Sequence, residues 1–101
     1  MLDENKDRRN HILQKSFGKR VRDLRLRNGL SQEKLAFKCE IHRNYLGSVE
    51  RGERNIALRN IYAIACALGV TLPELLDFEI DVPTVAIVDE ALEKDVSKIS
   101  L

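Results

Sequence analysis

A chain of 101 residues, 33% charged and 44% hydrophobic, has the length of one small domain with a modest core, and it contains no apolar run long enough to span a membrane. Its two cysteines, Cys39 and Cys66, and two histidines, His11 and His42, form no CxxC, HExxH or other paired ligand spacing, so neither a metal nor a cofactor is indicated. The formal net charge of +1 hides an asymmetry: residues 1–60 hold 15 Lys/Arg against 8 Asp/Glu, a net of +7, whereas residues 61–101 hold 2 against 8, a net of −6.

Residues 1–15 alternate charges, with Ile12 and Leu13 apolar, and read as an extension, frayed or helical, of the first helix. That helix carries Phe17, Val21, Leu24 and Leu30 as its apolar positions, with Gly29 closing it. Ser31 is a good N-cap for the next helix, where Gln32 and Glu33 suit the positive helix end and Leu35, Ala36 and Cys39 make a narrow apolar stripe. After Glu40 the phase restarts with Ile41, Tyr45, Leu46 and Val49. Arg51 complements the negative end of this helix and Gly52 closes it. Two helices of about nine residues joined by about three cannot lie antiparallel, so the pair must cross as a helix-turn-helix. A fourth helix carries Leu58, Ile61, Ile64, Ala65 and Leu68 and stops at Gly69. Thr71 caps a short fifth helix with Pro73 in its first turn and Leu75, Leu76 and Phe78 facing inward. The fold class is all-α, with no convincing strand before Ile80.

Beyond Glu79 the chain supports two readings. Val85 to Val88 are β-branched enough for a short strand, whereas Val85, Val88, Leu92, Val96 and Ile99 follow a helical stripe; a helix over about 85–98 is the favoured one. Either form leaves apolar surface that a second subunit would cover. The domain division is therefore residues 1–15 as extension, 16–78 as the helix-turn-helix domain and 79–101 as a C-terminal extension for dimerisation.

The segment from about Phe17 to Phe78 resembles the five-helix DNA-binding domain of phage repressors and the bacterial Xre family. The resemblance rests on Gln32, Leu35, Ala36, Ile41, Leu46, Val49, Glu50, Gly52 and the Ala65-x-Ala67-Leu68-Gly69-Val70 run. Arg43-Asn44-Tyr45 followed by Glu50-Arg51-Gly52 is similar, more narrowly, to controller proteins of restriction–modification systems. The resemblance implies that Gln32 clamps a DNA phosphate and that Arg25 and Glu50 form an ion pair joining two helices. It also marks Glu40 as a departure, because glycine is common at that left-handed turn position.

Each side chain then takes a role. Arg43 and Asn44 open the second motif helix, where a guanidinium can grip guanine O6 and N7 and an amide can pair with adenine; Ser48 follows one turn later as a third base contact. Gln32 stands in a helix first turn, where free N–H groups favour an anion. Lys38, Arg51, Arg54 and Asn55 are expected on the phosphate backbone, and Tyr45 is divided between core packing and a phosphate contact. Gly47 has two readings, closer seating in the groove or plain packing. Cys39 and Cys66 are expected as small buried apolar residues, and His42 as exposed or touching phosphate. With no secretory leader legible, the thiols are expected reduced in the cytoplasm.

The basic half points to double-stranded DNA as the partner, and the acidic half should point away from it or meet another subunit. One recognition helix reads too few base pairs to find a site in a genome, so a homodimer on half-sites about 10 base pairs apart is expected. The resulting reading is a sequence-specific transcription regulator, of the restriction–modification controller kind by resemblance, acting as a homodimer on a palindromic or pseudo-palindromic operator. The alternative is an antitoxin whose residues 79–101 bind a toxin protein. No membrane association, small-molecule effector or catalytic site is indicated.

Overall fold

The computed structural model describes residues 2–80, with side chains from Asp7 to Ile80. Five helices and no strand occur among them: α1 (Leu2–Arg27), α2 (Gln32–Cys39), α3 (Arg43–Glu50), α4 (Leu58–Leu68) and α5 (Leu72–Leu75). The region of about 85–98, expected as a helix, lies outside the described residues, as does, beyond Ile80, the 79–101 extension expected for dimerisation.

α1 is one continuous helix of 26 residues, so the charged N-terminal stretch prolongs the first core helix. Phe17, Val21 and Leu24, spaced i, i+4, i+7, are its buried stripe. It ends where Gly29 takes φ +66°, which lets Leu30 N–H reach back to the Arg25 carbonyl at 3.1 Å. Leu30 therefore packs from the link beyond the helix.

α2 starts at Ser31, whose Oγ accepts a hydrogen bond from Lys34 N–H at 3.1 Å. Leu35, Ala36 and Cys39 are buried as one face. The helix stops at Glu40, which adopts φ 57°, ψ 39°, the sole non-glycine with positive φ among the described residues. Its N–H still bonds the Phe37 carbonyl at 3.1 Å, and Ile41 N–H bonds Ala36 at 3.0 Å, so the three-residue turn keeps its hydrogen bonds at a backbone cost of about 1–2 kcal/mol. Glutamate thus holds the left-handed turn that glycine would occupy without strain.

α3 begins at His42, whose Nδ1 accepts from Asn44 N–H at 3.0 Å. It closes through Gly52 at φ +77°, where a Cβ would stand 2.7 Å from Lys15 Cα; the exit of α3 is pressed against α1. A second close approach lies at Gly18. A Cβ there would meet the Val49 carbonyl oxygen at 2.3 Å and that of Glu50 at 2.6 Å, so the last turn of α3 rests directly on the α1 backbone.

Thr71 Oγ1 caps α5 by accepting from Glu74 N–H at 3.2 Å. Arg20 of α1 donates through Nη2 to the Glu74 carbonyl at 2.6 Å, tying both ends of the domain together. Val21, Leu35, Leu46, Val49, Ile64 and Leu75 are the largest fully buried side chains, so every helix contributes to a single core. Three expected inward positions are otherwise placed. Leu58 and Leu76 are exposed, and Phe78 is half-buried, edge-on to Phe17 with centroids 6.4 Å apart. Leu58 is the first residue of α4, whose buried positions are Ile64, Ala65 and Leu68. In α5, a helix of one turn, Leu75 is fully buried and Leu72 packs partly buried against the core.

Candidate nucleic-acid interface

α3 is exposed at its start and buried over its last five residues. Leu46 and Val49 are sunk in the core, whereas Arg43 and Asn44, in its first turn, are exposed. Neither of these two side chains makes a hydrogen bond within the described residues, so a guanidinium fork and a carboxamide stand free at the helix start, where a helix entering the major groove presents its residues to base edges.

The orientation of that helix is fixed by a buried polar chain. Glu50 Oε2 accepts from Arg25 Nε at 2.7 Å, and Oε1 accepts from Arg25 Nη2 at 3.0 Å, a two-pronged pair with the side chains 9% and 2% exposed for Arg25 and Glu50 respectively. Arg25 Nη1 also donates to the Leu30 carbonyl at 2.8 Å. Gln32 Nε2 adds a third bond to Glu50 Oε1 at 3.0 Å, so the residue expected to hold a phosphate is itself oriented by α3. Gly47 is buried beside it, and a Cβ there would meet Arg51 Nη1 at 3.2 Å and Gln32 Oε1 at 3.5 Å.

Ser48, expected as a third base contact, is buried in the free chain. It is 5% exposed, its hydroxyl donates to the Tyr45 carbonyl at 2.6 Å and accepts from Arg54 Nε at 3.0 Å. A mid-helix serine can satisfy its hydroxyl on the preceding turn, and both bonds of this hydroxyl are made within the fold. Its work is to hold Arg54, whose guanidinium stacks 5.5 Å from the centroid of the Tyr45 ring. Tyr45 is half-buried and its hydroxyl accepts from Asn60 at 3.4 Å.

The remaining phosphate candidates are all exposed: Lys38 on the last turn of α2, Arg51 at the end of α3, and Arg54 and Asn55 in the following loop. Arg51 Nε donates to Glu53 Oε2 at 2.9 Å. That hydrogen bond holds the Glu53 carboxyl below its ordinary range, with the charges of Arg54 and Lys15 adding to it. Asn55 lies apart from the Gln32 and Arg51 group, on the groove formed with Leu13, Ile56 and Leu76.

Among the described residues no three His, Cys, Asp or Glu converge to hold a metal, and no helix is long and apolar enough to cross a membrane. Cys39 is buried, and burial together with neighbouring Cys66 pushes its thiol up to about 11. Cys66, expected inside, is exposed, because the buried stripe of α4 runs through Ile64, Ala65 and Leu68.

Sequence reasoning missed Gly18, whose function depends on which helix crosses it, and His42 as a cap, because imidazole is outside the usual Ser, Thr, Asp and Asn set.

A family model described as helix-turn-helix matches residues 21–75. The control protein C.BamHI of Bacillus amyloliquefaciens is 54% identical over 63 residues, covering 61% of this chain and 78% of that protein. The crystal structure of the restriction–modification controller protein C.AhdI from Aeromonas hydrophila aligns with a TM-score of 0.60 at 51% identity, covering 60% of this chain and 92% of that one. The controller C.Esp1396I, solved as a tetramer in complex with its natural 35 base-pair operator, aligns with a TM-score of 0.59 at 30% identity, covering 63% of this chain and 88% of that one.

Proposed function

The chain belongs to the helix-turn-helix family, and from that premise we propose that it is a sequence-specific regulator of transcription, binding double-stranded operator DNA as a homodimer, of the kind that controls restriction–modification genes. The relatives that support this reading are control proteins, one of them solved on its operator. That set favours regulation over toxin neutralisation. The protein acts by binding rather than by catalysis, and its compartment is the one that holds the DNA, the cytoplasm.

The observation that carries the proposal is the pair of free donors, Arg43 and Asn44, on a helix whose other face is anchored by Leu46, Val49 and the buried Glu50. α3 enters the major groove by its N-terminal turn. Arg43 grips guanine O6 and N7, and Asn44 pairs with adenine N6 and N7. The start of α2 meets a phosphate: the first N–H groups of a helix lack partners, and Gln32 is held there by Glu50. Arg51, Arg54 and Lys38 add cations along the same backbone, and stacking on Tyr45 limits the freedom of Arg54. These contacts set register, whereas Arg43 and Asn44 set sequence. Two copies related by a twofold axis address half-sites about 10 base pairs apart.

Selection of bound sequences from a random duplex pool tests the proposal. A twofold-symmetric preference with that spacing is the expected result. Recovery of no sequence preference at low and moderate salt would refute it.

A further inference from the structure

The Gln32–Arg51 region opens into a cleft of about 760 Å³ whose remaining wall is α1. Lys15, Lys19 and Arg22 line that wall; Gln32, Arg51 and Glu53 line the other side. The cleft has two carboxylates, and both are committed. Glu50 is bonded to Arg25 and Gln32, and Glu53 to Arg51. Lys15, Lys19 and Arg22 form no ion pair within the described residues.

Spacing makes the three cations a stripe. Lys15, Lys19 and Arg22 stand at i, i+4 and i+7, and Arg8, seven residues before Lys15, is in phase with them. At 1.5 Å per residue the stripe runs for about 21 Å along α1. Its position beside α3 is fixed by backbone, since Gly52 lies against Lys15. Most of the stripe precedes the family match, which begins at residue 21.

We infer that the Lys15–Lys19–Arg22 face of α1 is a second phosphate-binding surface, continuing the sugar–phosphate path from Gln32 and Arg51 along the first helix. The inference rests on the operator-binding reading above. Cations that are spaced along a rigid rod, exposed and unpaired among the described residues, suit a polyanion with evenly repeated charge. A free phosphate would occupy one such position, not a line of them. The contacts carry no base information, so they lengthen the footprint and raise affinity without altering preference.

The test uses the full chain and the duplex chosen by the selection experiment. Binding is titrated from 50 to 200 mM salt for the parent, for Lys15→Gln/Lys19→Gln/Arg22→Gln and for the charge-keeping Lys15→Arg/Lys19→Arg. Three lost phosphate contacts reduce the slope of log K against log salt by about 2.7, so the salt-driven loss of affinity over that range becomes about 40-fold smaller. The arginine variant keeps the parental slope, and all three select the same sequence. An unchanged slope in the triple glutamine variant overturns the inference, as it would if the stripe faced the acidic C-terminal residues of the chain. A parent that selects no sequence instead defeats the operator reading.

Discussion

Replacing Arg25 with methionine probes what holds the recognition helix in place. The substitution keeps an unbranched apolar stem but removes both prongs on Glu50, at 2.7 and 3.0 Å, and the 2.8 Å bond to the Leu30 carbonyl. Glu50, with its side chain 2% exposed, is left with Gln32 as its one donor among the described residues. Stranding a buried charge in this way costs about 3–5 kcal/mol, a large part of the roughly 5–15 kcal/mol that keeps a domain folded. At about 4–8 °C per kcal/mol for a chain of this size, the midpoint of thermal unfolding falls by roughly 12–40 °C. Glu50→Leu added to Arg25→Met removes the charge, so the double variant should return to within about 2 kcal/mol of the parent, the residue being the bonds lost by Gln32 and Leu30. Urea unfolding followed by far-ultraviolet circular dichroism, run as a double-mutant cycle, gives all the needed terms. A cost below about 1 kcal/mol for the single variant, the scale of an exposed ion pair, or a double variant no more stable than the single one, would refute the reasoning.

Four further outcomes follow from the same geometry. Gly18→Ala places a methyl 2.3 Å from the Val49 carbonyl oxygen and should cost at least about 1–3 kcal/mol, read as a lower urea midpoint. Glu40→Gly relieves the φ 57° conformation and should raise stability by up to about 1 kcal/mol once the greater freedom of unfolded glycine is subtracted. Arg43→Ala should leave the unfolding curve within about 0.5 kcal/mol of the parent while lowering affinity by about 1–3 kcal/mol and relaxing preference at one base pair; a uniform loss across all sequences would make Arg43 a phosphate contact instead. The Cys39 thiol, raised from 9.0 to about 11 in the folded chain, favours the protonated form on folding. Its contribution is complete below about pH 9 and declines as pH rises through about 11, so the alkaline loss of stability should be smaller in Cys39→Ala, as alkaline unfolding curves would show.

The helices were legible because their punctuation is local. Ser31 and Thr71 sit where their hydroxyls bond an N–H three residues on, and Gly29, Gly52 and Gly69 take the positive φ that ends a helix. Arg25 and Glu50 were paired through the family resemblance, since nothing in their separation of 25 residues links them. The burial of Ser48 was not legible, because it depends on Arg54 and the Tyr45 carbonyl, which its hydroxyl bonds. Gly18 carried no signal, because its small size matters only where α3 crosses α1. Leu58 and Cys66 fit the helical period of α4, but period alone does not say how wide the covered face is.

Because Gly18 seats the α3 backbone directly on α1, and Leu46, Val49 and Glu50 secure it from beneath, Arg43 and Asn44 carry no share of the scaffold's integrity. Address and architecture are thereby uncoupled. Under the operator-binding reading proposed above, descendants of this chain can exchange those two letters for others, and so change the sequence they select, while inheriting the same framework intact.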